Sequence, residues 1–354
     1  MLPPNAEEVM WNIVTGLLII ALGSLGQSSS YVPIRKIRLW KWESFWLVQG
    51  VFAWLLFPAL GAMLAVPEGS SLMDLYAGAS LKGPIGYGVL WGIGGLTFGL
   101  SMRYLGIALG QSLALGMCSA FGTMIPALMN DSDAPEEKKW ILAACVGIML
   151  AGIAVIGYAG SLRDRKLSEE EKRKAIQDFA LTKGLIVALL AGTMSACFNL
   201  GLEAGKPIEE AAKAAGANEL FALNPVILAV TTGGFFTNAL YCIALHLKNR
   251  SGNDYCSTKG GVLLHNILFC ALAGLLWYSQ FFGLGMGKTF FRNSPMMMAF
   301  SWSILMSLNI LFSNGWGILL KEWKGADRKT IGALAVGMAI LIFSLLFPNL
   351  NIRI

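Results

Sequence analysis

RDRKLSEEEKRK, residues 163–174, is the longest charged run in a chain of 354 residues of which only 14% are charged. On both sides of it lie apolar stretches of the length a helix needs to cross the hydrocarbon core, about 20 residues. Before it fall 9–31, 44–66, 84–102, 105–129 and 140–161. After it fall 184–205, 223–246, 261–283, 295–320 and 330–348. The charged run therefore separates five apolar stretches from five. Every backbone group that spans a bilayer must be bonded internally, which leaves helices or a closed barrel. Runs this continuous lack the alternation of barrel strands, so the chain reads as an all-α polytopic membrane protein with ten transmembrane helices.

Composition points the same way. The chain is 55% hydrophobic, with 41 Gly and 11 Trp, and its mean hydropathy is +0.61. A soluble domain carries about 25% charge and cannot bury so much apolar surface. Glycine lets membrane helices approach closely, and tryptophan favours the interface. The net charge of +6 comes from Lys and Arg in short loops, so it reads as a topology signal and not as a nucleic-acid surface. The residues ahead of the first apolar run, MLPPNAEE, are acidic where a signal peptide is basic, so the first helix is expected to be retained.

Orientation follows from the basic residues. With the N-terminus outside, the inner loops hold Arg35, Lys36, Arg38, Lys41, Lys248, Arg250, Lys259, Lys321, Lys324 and the cluster around 163–174, which is most of the 27 Lys and Arg. Both termini are then expected outside. A division into residues 1–161, a charged cytoplasmic connector 162–183, and 184–354 follows. Halves of five helices have opposite orientations, the arrangement of an inverted-repeat transporter whose site lies between the halves near the midplane.

The six cysteines, at 118, 145, 197, 242, 256 and 270, form no CxxC pair, and the two histidines lie in different segments. Neither a disulfide framework nor a metal site is expected, and no cofactor. No Asp or Lys falls at the centre of a predicted span, where a charge costs about 2.5–3.5 kcal/mol on insertion scales. That argues against a charged selectivity filter or a voltage sensor, and favours a neutral, hydroxylated or amphipathic solute.

The eighth stretch, HNILFCALAGLLWYSQFF from His265, carries the densest polar pattern. At 100° per residue, Asn266, Ala273, Trp277 and Gln280 fall within about 40° of one another. An indole face flanked by amides suits a sugar, which has an apolar C–H face and a rim of hydroxyls. The competing reading is that the amides bond neighbouring helices and Trp277 marks the interface. Trp302, Asn309 and Ser313 share a face of the ninth stretch in the same way. In the first half, Trp91 sits in WGIGGLTFG and Gln111 is the amide of the fourth stretch. Gly95 and Gly99 make a GxxxG, which by itself speaks only of helix packing. A transported proton needs a group that changes charge. His265 and Glu203 are the candidates, against local readings in which His265 bonds a carbonyl and Glu203 pairs with Lys206. His246, at a helix end, reads as interfacial.

Several segments resemble the bacterial L-rhamnose/proton symporter family, a branch of the drug/metabolite transporter superfamily. They are YVPIRKIRLWKWESFW at 31–46, WGIGGLTFGLSMRYLGIALG at 91–110, EAGKPIEEAAKAAG at 203–216, LLHNILFCALAGLLWYSQFF at 263–282 and LLKEW at 319–323. They are spread over both halves, while 223–246 and 295–318 match more loosely. The resemblance implies ten helices in inverted five-helix halves, residence in the inner membrane, and proton-driven uptake of a deoxy-hexose, with the bilayer, a sugar and a proton as partners. Glu203 stands where the resemblance leads one to expect an uncharged residue. Export of a metabolite or drug, as in other branches of the superfamily, is the alternative. A membrane-embedded enzyme or sensor is disfavoured by the lack of HExxH, of clustered intramembrane acids and of a soluble output domain.

Overall fold

The computed structural model describes residues 5–105, 107–130, 136–165, 181–321 and 323–350. The described residues are helical, with no strand among them. Among the described residues ten helices are long and apolar enough to cross a membrane, at the ten places expected. The charged connector lies largely outside the described residues. The helix before it ends at Asp164 and the helix after it starts at Leu181.

The helices fall into two compact units. The first comprises residues 1–92 and 201–290, the second 93–200 and 291–354. In the first unit, α1 (Ala6–Ser29) lies along α12 (Gly260–Phe290). A Cβ on Gly23 would come within 2.5 Å of the Ser279 carbonyl, and one on Gly283 within 3.0 Å of the Ile19 carbonyl. Gly287 lies equally close to Ile20. Residues 279, 283 and 287 repeat every four along one stripe of α12, where a serine and two glycines facing Gly23 and Ile20 let the two backbones approach closely. This seam explains why α12 is longer than the 261–283 expected. Its last glycines continue the contact with α1 and do not end the helix.

The second span is interrupted. It starts as α2 (Trp42–Gly50), opens into a π-helical turn over Val51–Leu56, and resumes as α3 (Phe57–Met63). Pro58 has no N–H to close an α-turn on Trp54, and the N–H of Phe57 reaches back five residues to the Phe52 carbonyl. Outside the membrane span, α4 (Leu72–Ala77) begins with a capping box between Ser71 and Asp74. Asp74 accepts from both the backbone and the hydroxyl of Ser71, which holds its carboxyl below the usual range. Leu75 of α4 packs with Ala212 of α9 (Lys206–Ala214) and Ala222. The Tyr76 hydroxyl donates to the Pro225 carbonyl at 2.9 Å, and burial raises its pKa to about 12. A further helix of this unit, α10 (Asn224–Asn249), packs against the second span. It also meets the start of α5 (Lys82–Leu105), where Gly88 and Gly233 take the place of side chains.

In the second unit, α6 (Ile107–Asn130) packs on α7 (Glu136–Asp164) and on α13 (Pro295–Leu319), and α7 packs on α14 (Arg328–Leu350). Gly152 and Gly337 make the last contact close, against Leu341 and Ile156. The rest of α5 meets α8 (Leu181–Ala204), with a Cβ on Gly94 falling 2.5 Å from the Ser195 nitrogen. The packing glycines of α5 are thus 83, 88, 92 and 94. A Cβ on either member of the GxxxG pair, Gly95 or Gly99, would meet nothing within 4 Å.

Candidate functional site: an indole cage in the first unit

Trp277 of α12 and Trp91 of α5 come together, as two of the residues put forward from the sequence. Their ring centroids are 5.7 Å apart and tilted by 36°. A third indole, Trp54, stands edge-on to both, 5.9 Å from Trp91 at 88° and 5.9 Å from Trp277 at 81°. Phe281 adds an edge to Trp277 at 5.2 Å. The cage continues through Trp46, whose centroid is 5.6 Å from that of Trp54 and whose indole N–H donates to Asn238 Oδ1 at 3.0 Å.

Two glycines make room for these rings. A Cβ on Gly50 would lie 2.7 Å from the Trp54 ring, and one on Gly234 would overlap the Trp91 ring. The π-turn lays the Trp54 indole back over Gly50. Trp54 is only 5% exposed, yet its Nε1 has no hydrogen-bond partner among the described residues. Gln49, half a turn before the π segment, is also buried, and its Oε1 has none either. One buried donor and one buried acceptor are therefore held in the interrupted span beside three indoles. Each costs about 1–3 kcal/mol if left unsatisfied.

The other expected residues lie as follows. Gln280 is buried one turn beyond Trp277 and donates from Nε2 to the Trp277 carbonyl at 3.1 Å. Asn266 is fully buried at the far end of α12. Its Nδ2 donates to the Arg38 carbonyl at 2.8 Å and its Oδ1 accepts from the Arg38 N–H at 3.0 Å, so both ends of the amide hold the 35–41 loop. His265 lies beside it, with Nε2 2.9 Å from the Lys36 carbonyl. Glu203, at the end of α8, pairs with Lys206 at 2.5 Å and has Lys288 of α12 at 4.0 Å.

Asn309 and Gln111 are partly buried in the second unit. Trp302, beside them in sequence pattern, is 2% exposed, donates to the Cys118 carbonyl at 3.2 Å and stacks on Phe198 at 6.0 Å. Asn199 donates to the Gly122 carbonyl at 2.7 Å. No cluster of three or more His, Cys, Asp or Glu able to hold a metal occurs among the described residues.

Trp54 and Gln49 were not among the residues expected. Their signal in the sequence is the pairing of Gly50 with Pro58 inside one apolar stretch, which marks a break in the helix where backbone geometry changes.

Ten helices long and apolar enough to span a bilayer, found among the described residues, define a multi-pass membrane protein. Residues 9–351 match the family model described as L-rhamnose-proton symport protein (RhaT), and the chain belongs to that family, one of symporters and not of enzymes. The "L-rhamnose-proton symporter" of Yersinia pestis (strain Pestoides F) is 33% identical over 339 residues, covering 94% of this chain and 96% of that protein. The protein of the same name from Yersinia pseudotuberculosis serotype O:1b (strain IP 31758) matches to the same extent. That of Yersinia pestis bv. Antiqua (strain Antiqua) is 34% identical over 340 residues.

Proposed function

We propose that this chain imports L-rhamnose, or a closely related deoxy-sugar, together with protons by alternating access across the inner membrane. The names of its relatives supply the sugar and the ion. The observation that carries the reading at the site is the cage of Trp54, Trp91 and Trp277. Indole faces take the C–H surface of a pyranose. A sugar hydroxyl both donates and accepts, so a ring bearing several can meet the Trp54 N–H and the Gln49 carbonyl together. Gln280 stands by as a further amide. Such a site offers a deoxy-hexose both a stacking surface and hydrogen-bonding partners. Asn309 and Gln111 stay candidate amides within the second unit. Asn266 braces the 35–41 loop in this reading.

Helix pairing supports inverted five-helix halves. An operation that takes span n to span n + 5 turns the pairing of spans 1 and 8 into that of spans 6 and 3. The close contact of Gly23 with Ser279 and that of Gly94 with Ser195 are such a pair. Pairings of spans 2 with 7, 4 with 9 and 5 with 10 each map onto themselves, and all three occur. The excess of basic residues in alternate loops supports both termini being outside.

Counterflow of labelled L-rhamnose in proteoliposomes tests the substrate. Exchange with L-rhamnose and loss of exchange in Trp277→Ala are expected. Absence of counterflow in the unaltered protein overturns the sugar assignment.

A further inference from the structure

The sugar cage leaves unused a second buried polar group, at the opposite end of the second span from Pro58. Glu43, in the first turn of α2, is 3% exposed, and among the described residues no lysine or arginine lies within ion-pairing distance of it. Its Oε1 accepts from Asn249 Nδ2 at 2.9 Å and from Ser251 Oγ at 2.6 Å. Ser251 reaches it because Arg250, at φ 50°, ends α10 in the left-handed conformation and turns the chain back on itself. Ser251 Oγ also lies 2.7 Å from His246 Nδ1. The other ring nitrogen, Nε2, is 3.1 Å from the hydroxyl of Tyr255, in the short helix α11 (Asp254–Ser257). Tyr255 in turn donates to the Ser44 carbonyl at 3.1 Å. A continuous row therefore runs from the Glu43 carboxylate through Ser251, His246 and Tyr255 to the backbone of α2.

Each hydroxyl has one hydrogen, and a neutral imidazole has one donor and one acceptor. Tyr255 keeps its hydrogen, since burial pushes its hydroxyl up to about 12. If Ser251 donates to Glu43 and Tyr255 donates to Ser44, both ring nitrogens face oxygens with nothing left to give, and His246 must carry two hydrogens. The alternative puts a proton on Glu43, which donates to Ser251. Ser251 then donates to Nδ1, and Nε2–H donates to Tyr255. Both arrangements hold the same single proton beyond a carboxylate and a neutral ring. Without that proton one bond of the row is lost, whichever tautomer the ring adopts.

We infer that Glu43 and His246, bridged by Ser251, are the pair that takes up and releases the transported proton. The inference rests on the symport reading above. Loading leaves every bond in the row made and ties the start of α2 to the 251–257 turn. Unloading opens one bond of that tie. The proton enters and leaves by way of His246, whose ring is half-exposed, while Glu43 is out of reach of water. No bond between heavy atoms changes. The other titratable and charged groups around the pair are Lys41, bonded to the Asn249 carbonyl, Asp254, bonded to Ser44, and the thiols of Cys242 and Cys270. Lys248 and Arg250 flank it on the exposed side. His265 and Glu203 differ in kind, since the first bonds a single carbonyl and the second is neutralised by lysines.

The test compares two assays of the full-length protein in proteoliposomes, L-rhamnose accumulation driven by an inward proton gradient and L-rhamnose counterflow without one. A proton falling through about 100 mV supports on the order of 50-fold accumulation. In Glu43→Gln and His246→Gln, accumulation is expected to collapse to simple equilibration while counterflow persists. In His265→Gln and Glu203→Gln it is expected to survive. Gradient-driven accumulation in both Glu43→Gln and His246→Gln overturns the assignment. If those two variants do not insert, Ser251→Ala and Tyr255→Phe break the row without stranding a charge. Their pH profiles of accumulation are expected to shift, and unshifted profiles overturn it. An unaltered protein that exchanges L-rhamnose but never accumulates it on a proton gradient defeats the symport reading, and this inference falls with it. Accumulation in the unaltered protein and in the variants alike defeats this inference alone.

Discussion

Trp302 and Trp54 are both buried indoles in the middle of apolar spans, 2% and 5% exposed. Trp302 is fully used. Its N–H bonds a carbonyl of α6, its face lies on Phe198, and Gly122 is bare beneath it. Trp54 likewise lies over a bare glycine, Gly50, and meets the edges of other rings, but its N–H has no partner among the described residues. The two indoles differ in satisfaction of the polar atom and not in burial, and the proposed sugar site rests on that difference. A packing residue finishes its hydrogen bonds within the fold, whereas a binding residue keeps them for the ligand at a cost in stability.

The largest effect that can break this comparison is truncation of the packed indole. Trp302→Ala is expected to cost about 3–5 kcal/mol, seen as a large drop in Tm and in the yield of folded protein in detergent. The L-rhamnose affinity of the molecules that do fold should be unchanged. A selective loss of affinity in that variant would place Trp302 in the binding site and erase the distinction.

Filling the two glycine cradles comes next. A Cβ on Gly122 would overlap the Trp302 ring, and a Cβ on Gly234 would overlap the Trp91 ring. Overpacking of this sort costs about 1–3 kcal/mol. Gly122→Ala should appear as lost thermal stability with transport per folded molecule retained. Gly234→Ala should push Trp91 out of place and appear mainly as a raised KM for L-rhamnose uptake. Equal effects of the two variants on KM would count against a functional difference between the cradles.

How much of this was legible in the sequence depends on the length scale involved. The ten spans were, because twenty consecutive apolar residues leave a helix no other solvent. Trp91 and Trp277 stood out through residue type and, for Trp277, helical face, and the structure brings their rings together. Asn266 shares that face with Trp277, but eleven residues at 1.5 Å each put it about 16 Å away along the axis, so a shared face was not a shared depth. There its amide serves Arg38. Gln49 and Trp54 were missed for the opposite reason. At 100° per residue they fall about 140° apart on a regular helix, whereas a π-turn closes residue i on i + 5 and brings the two positions nearer one face. Glu43 fell one residue before the second apolar stretch as drawn. His246 read as interfacial because Ser251 and Tyr255 reach it only after Arg250 reverses the chain. Local period predicts a face, and a break in the period, at Pro58 or at Arg250, moves residues off it.

A milder pair of substitutions sharpens the comparison by changing only the indole N–H. Trp54→Phe keeps an aromatic ring in the cage and removes a donor that the fold does not use. L-rhamnose binding should weaken about tenfold, which is about 1.4 kcal/mol, with Tm unchanged or slightly raised. Trp302→Phe should do the reverse. It forfeits a bond to the Cys118 carbonyl worth about 0.5–1.5 kcal/mol, leaving affinity intact. Thermal unfolding and sugar-dependent tryptophan fluorescence, measured on the same samples, read both quantities.

The smallest expected effect tests the rule on an atom that is not aromatic. Gln49 is buried with Oε1 unpartnered among the described residues, so it pays for desolvation without a bond to the protein. Gln49→Leu has nearly the same volume and removes that cost. If the amide is kept for a sugar hydroxyl, affinity should fall about three- to fivefold, near 1 kcal/mol, while Tm rises. Gain of stability with loss of affinity from one substitution is what a site maintained against the interest of the fold should give. A rise in Tm with affinity unchanged would remove Gln49 from the sugar site and leave the three indoles to account for recognition by stacking, with Trp54 Nε1 as the one buried donor they retain for the ligand.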